Sequence, residues 1–207
     1  MKSLLHQSIR AALPTIMIGC LVSASVVASG SSPSPSPPPR QTDSPEDQEA
    51  GKKEEAIKKY NKGVEHMTTG KEKGAEKDST FAFNYRATPD KKAEKEFKKA
   101  AKEFEKAVKL DPTMKEAHNN LGYCYRKLDR LEKSLASYQR ALKLDPKFEQ
   151  AREYLGETYL ALGELTKAKE EFYFLKGLKS AYADTLSLAI QLYQLKELDE
   201  AMTASGR

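Results

Sequence analysis

Lys115 to Pro146 reads KEAHNNLGYCYRKLDRLEKSLASYQRALKLDP. Much of it returns 34 residues later: Leu121-Gly122 as Leu155-Gly156, Tyr125 as Tyr159, Leu128 as Leu162 and Tyr138 as Phe172. One period earlier, Phe104, Ala107 and Leu110-Asp111-Pro112 anticipate Tyr138, Ala141 and Leu144-Asp145-Pro146. A fixed period of this length, carried by apolar and small residues, marks a stacked repeat array. Each unit holds two helices that cannot bury their apolar stripes alone, so neighbouring units stack and share a core. Gly122 and Gly156 lack a Cβ and let a neighbouring helix come close. Pro112 and Pro146 close each second helix, because proline turns the preceding residue away from the helical region and suits the opening of the next helix.

His118, Leu121, Gly122, Tyr125, Ser134, Tyr138, Ala141 and Pro146 fit the spaced pattern W-x2-L-G-x2-Y, then A-x3-F, then P. On these positions the chain resembles the tetratricopeptide repeat (TPR) family. His118 stands where that family has Trp, and Ser134 where it has Ala. The ending from Arg152 onward resembles short exported bacterial members. The resemblance implies an all-α fold, a right-handed superhelical array of antiparallel helix pairs closed by a C-terminal capping helix. It also implies a concave groove, lined by the first helix of each unit, that receives a peptide or protein partner.

The units follow from the period. Residues 113–146 form the second and 147–179 the third, in which Leu175 replaces the small Ala and no proline follows. Residues 49–112 form the first, with Gly63 at the small position and Gly70 at the turn. Counting back from Pro112 places a 25-residue insertion, 71–95, between its two helices. Phe81, Phe83 and Tyr85 alternate inside it, where a solvent-exposed loop would be polar. Two readings stand: the loop folds back and buries them, or they form a docking hairpin. Residues 180–207 read as a capping helix whose end, from Met202, is a frayed tail.

The beginning of the chain is different in kind. Lys2 and Arg10 precede an apolar stretch from Ala11 to Gly30 that ends in small residues, as in a secretory signal peptide cut after Ala28. Residues 1–28 are therefore expected to direct export to the periplasm or cell envelope. Two alternatives stay open: an uncleaved membrane anchor, and lipidation of Cys20, since Met17-Ile18-Gly19-Cys20 loosely resembles a lipobox. Residues 29–48, rich in Pro and Ser, read as an extended disordered linker.

Composition narrows the function. The net charge of +5 includes Lys2 and Arg10 of the leader, so the folded part is only mildly basic and nucleic acid is not an expected partner. With two cysteines, one of them Cys20, no internal disulfide framework can form, and Cys124 reads as a buried inert thiol. The three histidines lie far apart, so no metal site is expected; His66 and His118 fall where the family places packed aromatics. Gly70-Lys71 fails as a phosphate loop, because Glu65 and Glu72 stand where Gly and Ser or Thr are required. No catalytic motif and no cofactor site is present, and an enzyme is not expected.

What the resemblance does imply is a groove of Tyr60, Val64 and Met67, then Asn119, Tyr123 and Arg126, then Glu153, Glu157 and Leu160. It runs from apolar to acidic and suits a partner with an apolar end and a basic end. The chaperone-tail subclass of the family uses Lys, Asn and Arg in this groove. Here only Asn120 matches, while Tyr60, Val64, Gln150 and Tyr154 do not, so carboxylate-tail recognition is not expected. The alternative function is binding of an anionic polymer or membrane surface by the Lys-rich first unit.

Overall fold

The computed structural model describes residues 44–75 and 90–206, all within one compact unit, Thr42–Arg207. Among the described residues there are seven helices and no strand: α1 (Pro45–Ala75), α2 (Lys91–Leu110), α3 (Lys115–Lys127), α4 (Leu131–Leu144), α5 (Glu149–Ala161), α6 (Leu165–Gly177) and α7 (Tyr182–Ala204). Consecutive helices pack on each other, and α7 also packs on α5. The leader, most of the linker and the stretch holding Phe81, Phe83 and Tyr85 lie outside the described residues.

The period is visible in the hydrogen bonds as well as in the helices. Asp111 follows α2 and its carboxylate accepts from the Thr113 amide at 2.9 Å. Asp145 follows α4 and accepts from the Lys147 amide at 3.0 Å. Each Asp-Pro thus satisfies a backbone donor in the turn that joins two units. The next helix then bonds back to that turn. His118 Nε2 donates to the Pro112 carbonyl at 3.1 Å, and Arg152 Nε, one period on, donates to the Pro146 carbonyl at 2.9 Å. His118 therefore does more than pack: it ties two units together. His66 is also engaged, hydrogen-bonded through Nδ1 to Glu96 at 3.1 Å.

Close approach occurs where the small residues fall. A Cβ on Gly63 would lie 2.7 Å from the Phe104 ring, and one on Gly122 would lie 2.7 Å from the Tyr138 ring. Gly70 belongs to the same set, since a Cβ there would meet the Phe97 ring at 3.1 Å. Gly70 is thus not at a turn. Helix α1 runs through it to Ala75, so residues 71–75 of the expected insertion continue that helix, and α2 spans Lys91–Leu110. Helix α1 also starts earlier than residue 49. Ser44 Oγ accepts from the Asp47 amide at 3.2 Å while Asp47 accepts from the Ser44 amide at 3.0 Å. That reciprocal cap, with Pro45 at the first helical position, converts the end of the linker into helix.

The third unit departs from the first two. Beneath Gly156 lies Leu186 of α7, at 2.5 Å from a built Cβ, rather than Phe172 of the unit's own second helix. Leu175 is the reason: it is fully buried where Ala107 and Ala141 sit in the earlier units, and its extra bulk leaves Phe172 half-buried against Tyr173. Helix α7 closes the core with Ala183, Leu186 and Ile190. Its other face is not polar, as a simple cap would be; Leu195 is 62 % and Leu198 59 % exposed. The expected frayed tail is helical as far as Ala204.

Candidate functional site

The first helices of the second and third units meet side by side and form rungs. On α3, Asn119, Tyr123 and Arg126 recur at spacings of four and three, so they share one face. On α5, Gln150, Tyr154 and Glu157 do the same. The first rung is Asn119 Nδ2 donating to Gln150 Oε1 at 3.1 Å. The second is Tyr123 against Tyr154, ring centroids 5.4 Å apart. The third is Arg126 to Glu157 at 2.7 Å, with the guanidinium also 5.5 Å from both tyrosine rings.

Arg126 is buried, and its Nε has no hydrogen-bond partner. Burial opposes its charge, but Glu157 and the surrounding hydroxyls and carboxyls overcome that and hold it protonated. Tyr138 lies below, fully buried, its ring 6.0 Å from that of Tyr154. Burial drives the hydroxyls of Tyr123 and Tyr138 well above the ordinary range, so both stay neutral. Asn119 is 1 % exposed, and its Oδ1 accepts no hydrogen bond. Glu153 lies between Gln150 and Glu157 on the helix. It is 4 % exposed, and burial first, then the Glu157 charge, push it up to about 8 against the pull of Arg126.

The remaining groove positions behave differently. Tyr60 and Val64 are half-buried and Met67 is buried, all against the core of α2 and α3. Asn120 Nδ2 donates to the Tyr60 hydroxyl at 3.3 Å, which links the first unit to the second. Leu160 is a core residue, 1 % exposed, and offers nothing to a partner. Two cations escaped the sequence reading. Lys71, which the repeat count places in the insertion, is in the last turns of α1 with its ammonium 4.4 Å from the Tyr123 ring centroid. Lys127 lies 5.7 Å from the same ring, and burial followed by the Arg126 charge pushes it down to about 7. The signal that could have found Lys71 is the unbroken helical pattern through Gly70.

No group of three or more His, Cys, Asp or Glu among the described residues could hold a metal ion. The Cys124 thiol is buried, and burial raises its pKa, which removes the thiolate that nucleophilic chemistry would need. What the rungs offer is a strip of aromatic faces with cations toward α1 and carboxyls toward α5.

Family models described as tetratricopeptide repeat match residues 91–114, 116–148 and 137–170. The chain is a tetratricopeptide repeat protein. Among solved structures, the TPR2B-domain–pHsp70 complex of yeast Sti1 is similar, with a TM-score of 0.52 and 15 % identity over 69 % of this chain and 98 % of that one. That likeness places the TPR fold over most of the chain. A thermophilic TPR protein of Thermus thermophilus matches at a TM-score of 0.43 and 23 % identity, over 62 % and 71 % of the two chains. The Yersinia enterocolitica type III secretion chaperone SycD, solved with a peptide of the translocator YopD, matches at 0.42 and 20 %, over 57 % and 90 %. No curated protein matches the chain.

Proposed function

We propose that this TPR protein is an interaction scaffold that docks an extended segment of a partner protein across the rungs between α3 and α5, without catalysis. The observation that carries it is the strip itself, the Tyr123 and Tyr154 rings with Lys71 and Lys127 on one side and Glu157 on the other. Aromatic faces flanked by charges of both signs on the first helices of adjacent units suit an extended segment of a partner. The solved yeast Sti1 domain, which shares the fold, is a complex with pHsp70. Export to the periplasm or envelope, by a leader cut after Ala28 or by an anchor at the N-terminus or Cys20, is part of the same proposal. It rests on residues 1–28 alone. Among the described residues, no helix is long and apolar enough to cross a membrane.

A second reading has one feature behind it. Lys52, Lys59, Lys106 and Lys109, with Glu55 and Leu110, line a cleft of about 510 Å³ between α1 and α2. It would take an anionic group of a polymer or lipid surface.

The test is affinity capture with the full chain, the wild type beside a variant carrying Tyr60→Ala, Gln150→Ala and Tyr154→Ala. The groove reading expects a partner retained by the wild type, lost from the variant at equal helical content, and little affected by moderate salt. Equal retention by both proteins overturns it. Release that steepens with salt, one counterion per phosphate neutralised, transfers the function to the lysine cleft. The mass of the purified mature chain checks export, and a first residue other than Ser29 overturns the cut proposed after Ala28.

A further inference from the structure

Glu153 is the least explained side chain of the groove. It is buried, and among the described residues it forms no hydrogen bond or ion pair. An unpaired buried carboxyl costs free energy that an apolar or amide residue of the same size would avoid. The repeat does not need an acid there: the same position of the first and second units holds Tyr60 and Asn119. Tyr60 and Asn119 each meet a partner within the fold, through Asn120 and Gln150, whereas Glu153 at the same repeat position meets none.

The surroundings select the class of ligand. From α3, Arg126 faces this region but is bound to Glu157 at 2.7 Å, and Tyr123 turns its ring to Tyr154. From α4 comes the neutral Tyr138; from α5 itself, Glu157 one turn on, Tyr154 and Gln150; from α7, Tyr182 beside Tyr154. Lys71 and Lys127 gather at the Tyr123 ring instead. Asn119 Oδ1, on the facing helix, is a second acceptor with no donor. Beside Glu153 the strip thus sets two carboxyls, Glu153 and Glu157, against one cation, Arg126, which Glu157 already holds, and its tyrosine faces suit a second cation.

We propose that Glu153 is the subsite for a lysine or arginine side chain of the docked partner, which enters between α3 and α5 and donates to the Glu153 carboxylate. This rests on the groove reading above. Burial and Glu157 keep the free carboxyl protonated near neutrality, so docking of the cation releases one proton to solvent while the ammonium or guanidinium keeps its own. Affinity for a cationic segment therefore rises with pH below about 8, by at most about tenfold per unit.

The experiment uses the full chain and an array of nonapeptides, acetylated and amidated so that only side chains carry charge. Each retained peptide is remade with norleucine for lysine and measured by fluorescence anisotropy from pH 6 to pH 9. Enrichment of lysine or arginine, at least a tenfold loss on norleucine substitution, and a rise of affinity with pH that Glu153→Gln abolishes are the expected results. Glu153→Leu, which needs no solvation, is the companion variant that keeps the test valid if the amide is poorly tolerated. Peptides retained with no preference for a cation, or a pH profile unchanged in either variant, overturn the subsite and leave the groove standing. No retention of any peptide by the wild type overturns both.

Discussion

Replacing Arg126 with leucine is expected to destabilise the fold by about 3–5 kcal/mol, because it leaves Glu157 nine-tenths buried and unpaired. The guanidinium also lies against the Tyr123 and Tyr154 rings, 5.5 Å from each centroid, so packing is lost with the charge. Coulomb attraction alone does not decide the sign, since taking two charges out of water costs about as much as their pairing returns. The double variant Arg126→Leu with Glu157→Leu is therefore expected to recover most of the loss. Denaturant melts of the wild type, the two single variants and the double variant measure the coupling directly. Single losses that simply add in the double variant would show that the pair does not act as a unit.

Tyr138→Ala is the other large effect. The ring is fully buried, sits on the Cα of Gly122 and touches the rung above it through Tyr154. Truncation opens a cavity that the helices on either side cannot close without moving apart, at a cost of about 3–5 kcal/mol. Tyr138→Phe separates ring from hydroxyl. That hydroxyl makes no close hydrogen bond but lies near the Arg126 guanidinium, so removing it is expected to change stability by no more than about 1 kcal/mol, far less than the alanine variant. Thermal melts of the two variants check this, and a phenylalanine variant as weak as the alanine one would show that the hydroxyl matters.

These two residues also show which parts of the molecule were legible beforehand. Tyr138 and Gly122 fall sixteen residues apart in a pattern that repeats, so their contact follows from the period. Arg126 and Glu157 could be placed on the groove face in the same way, but their pairing could not. It joins two units across positions that the repeat does not constrain, and only the separation of α3 and α5 decides whether they meet. The same holds for Leu186 under Gly156. The substitution of Leu175 for alanine was visible, yet its consequence, a neighbouring helix supplying the residue that Phe172 was expected to supply, depends on how much volume the core has left.

Glycine misled at one position. The repeat pattern places a turn glycine at Gly70, but the same residue also serves where a ring must lie on a helix backbone. Phe97 took the second use, α1 continued to Ala75, and Lys71 came into the groove as a result. The end of the linker misled for a related reason. Its composition is that of an extended chain, while Ser44, Pro45 and Asp47 together form a local cap that outweighs composition.

The most direct measurement of the groove account is hydrogen exchange of the full chain with and without its captured partner. Slowed exchange is predicted in α3 from Asn119 to Arg126 and in α5 from Gln150 to Glu157, with α4 and α6 unchanged. Protection confined to α4 and α6, or to the α1–α2 cleft around Lys52 and Lys109, would contradict it.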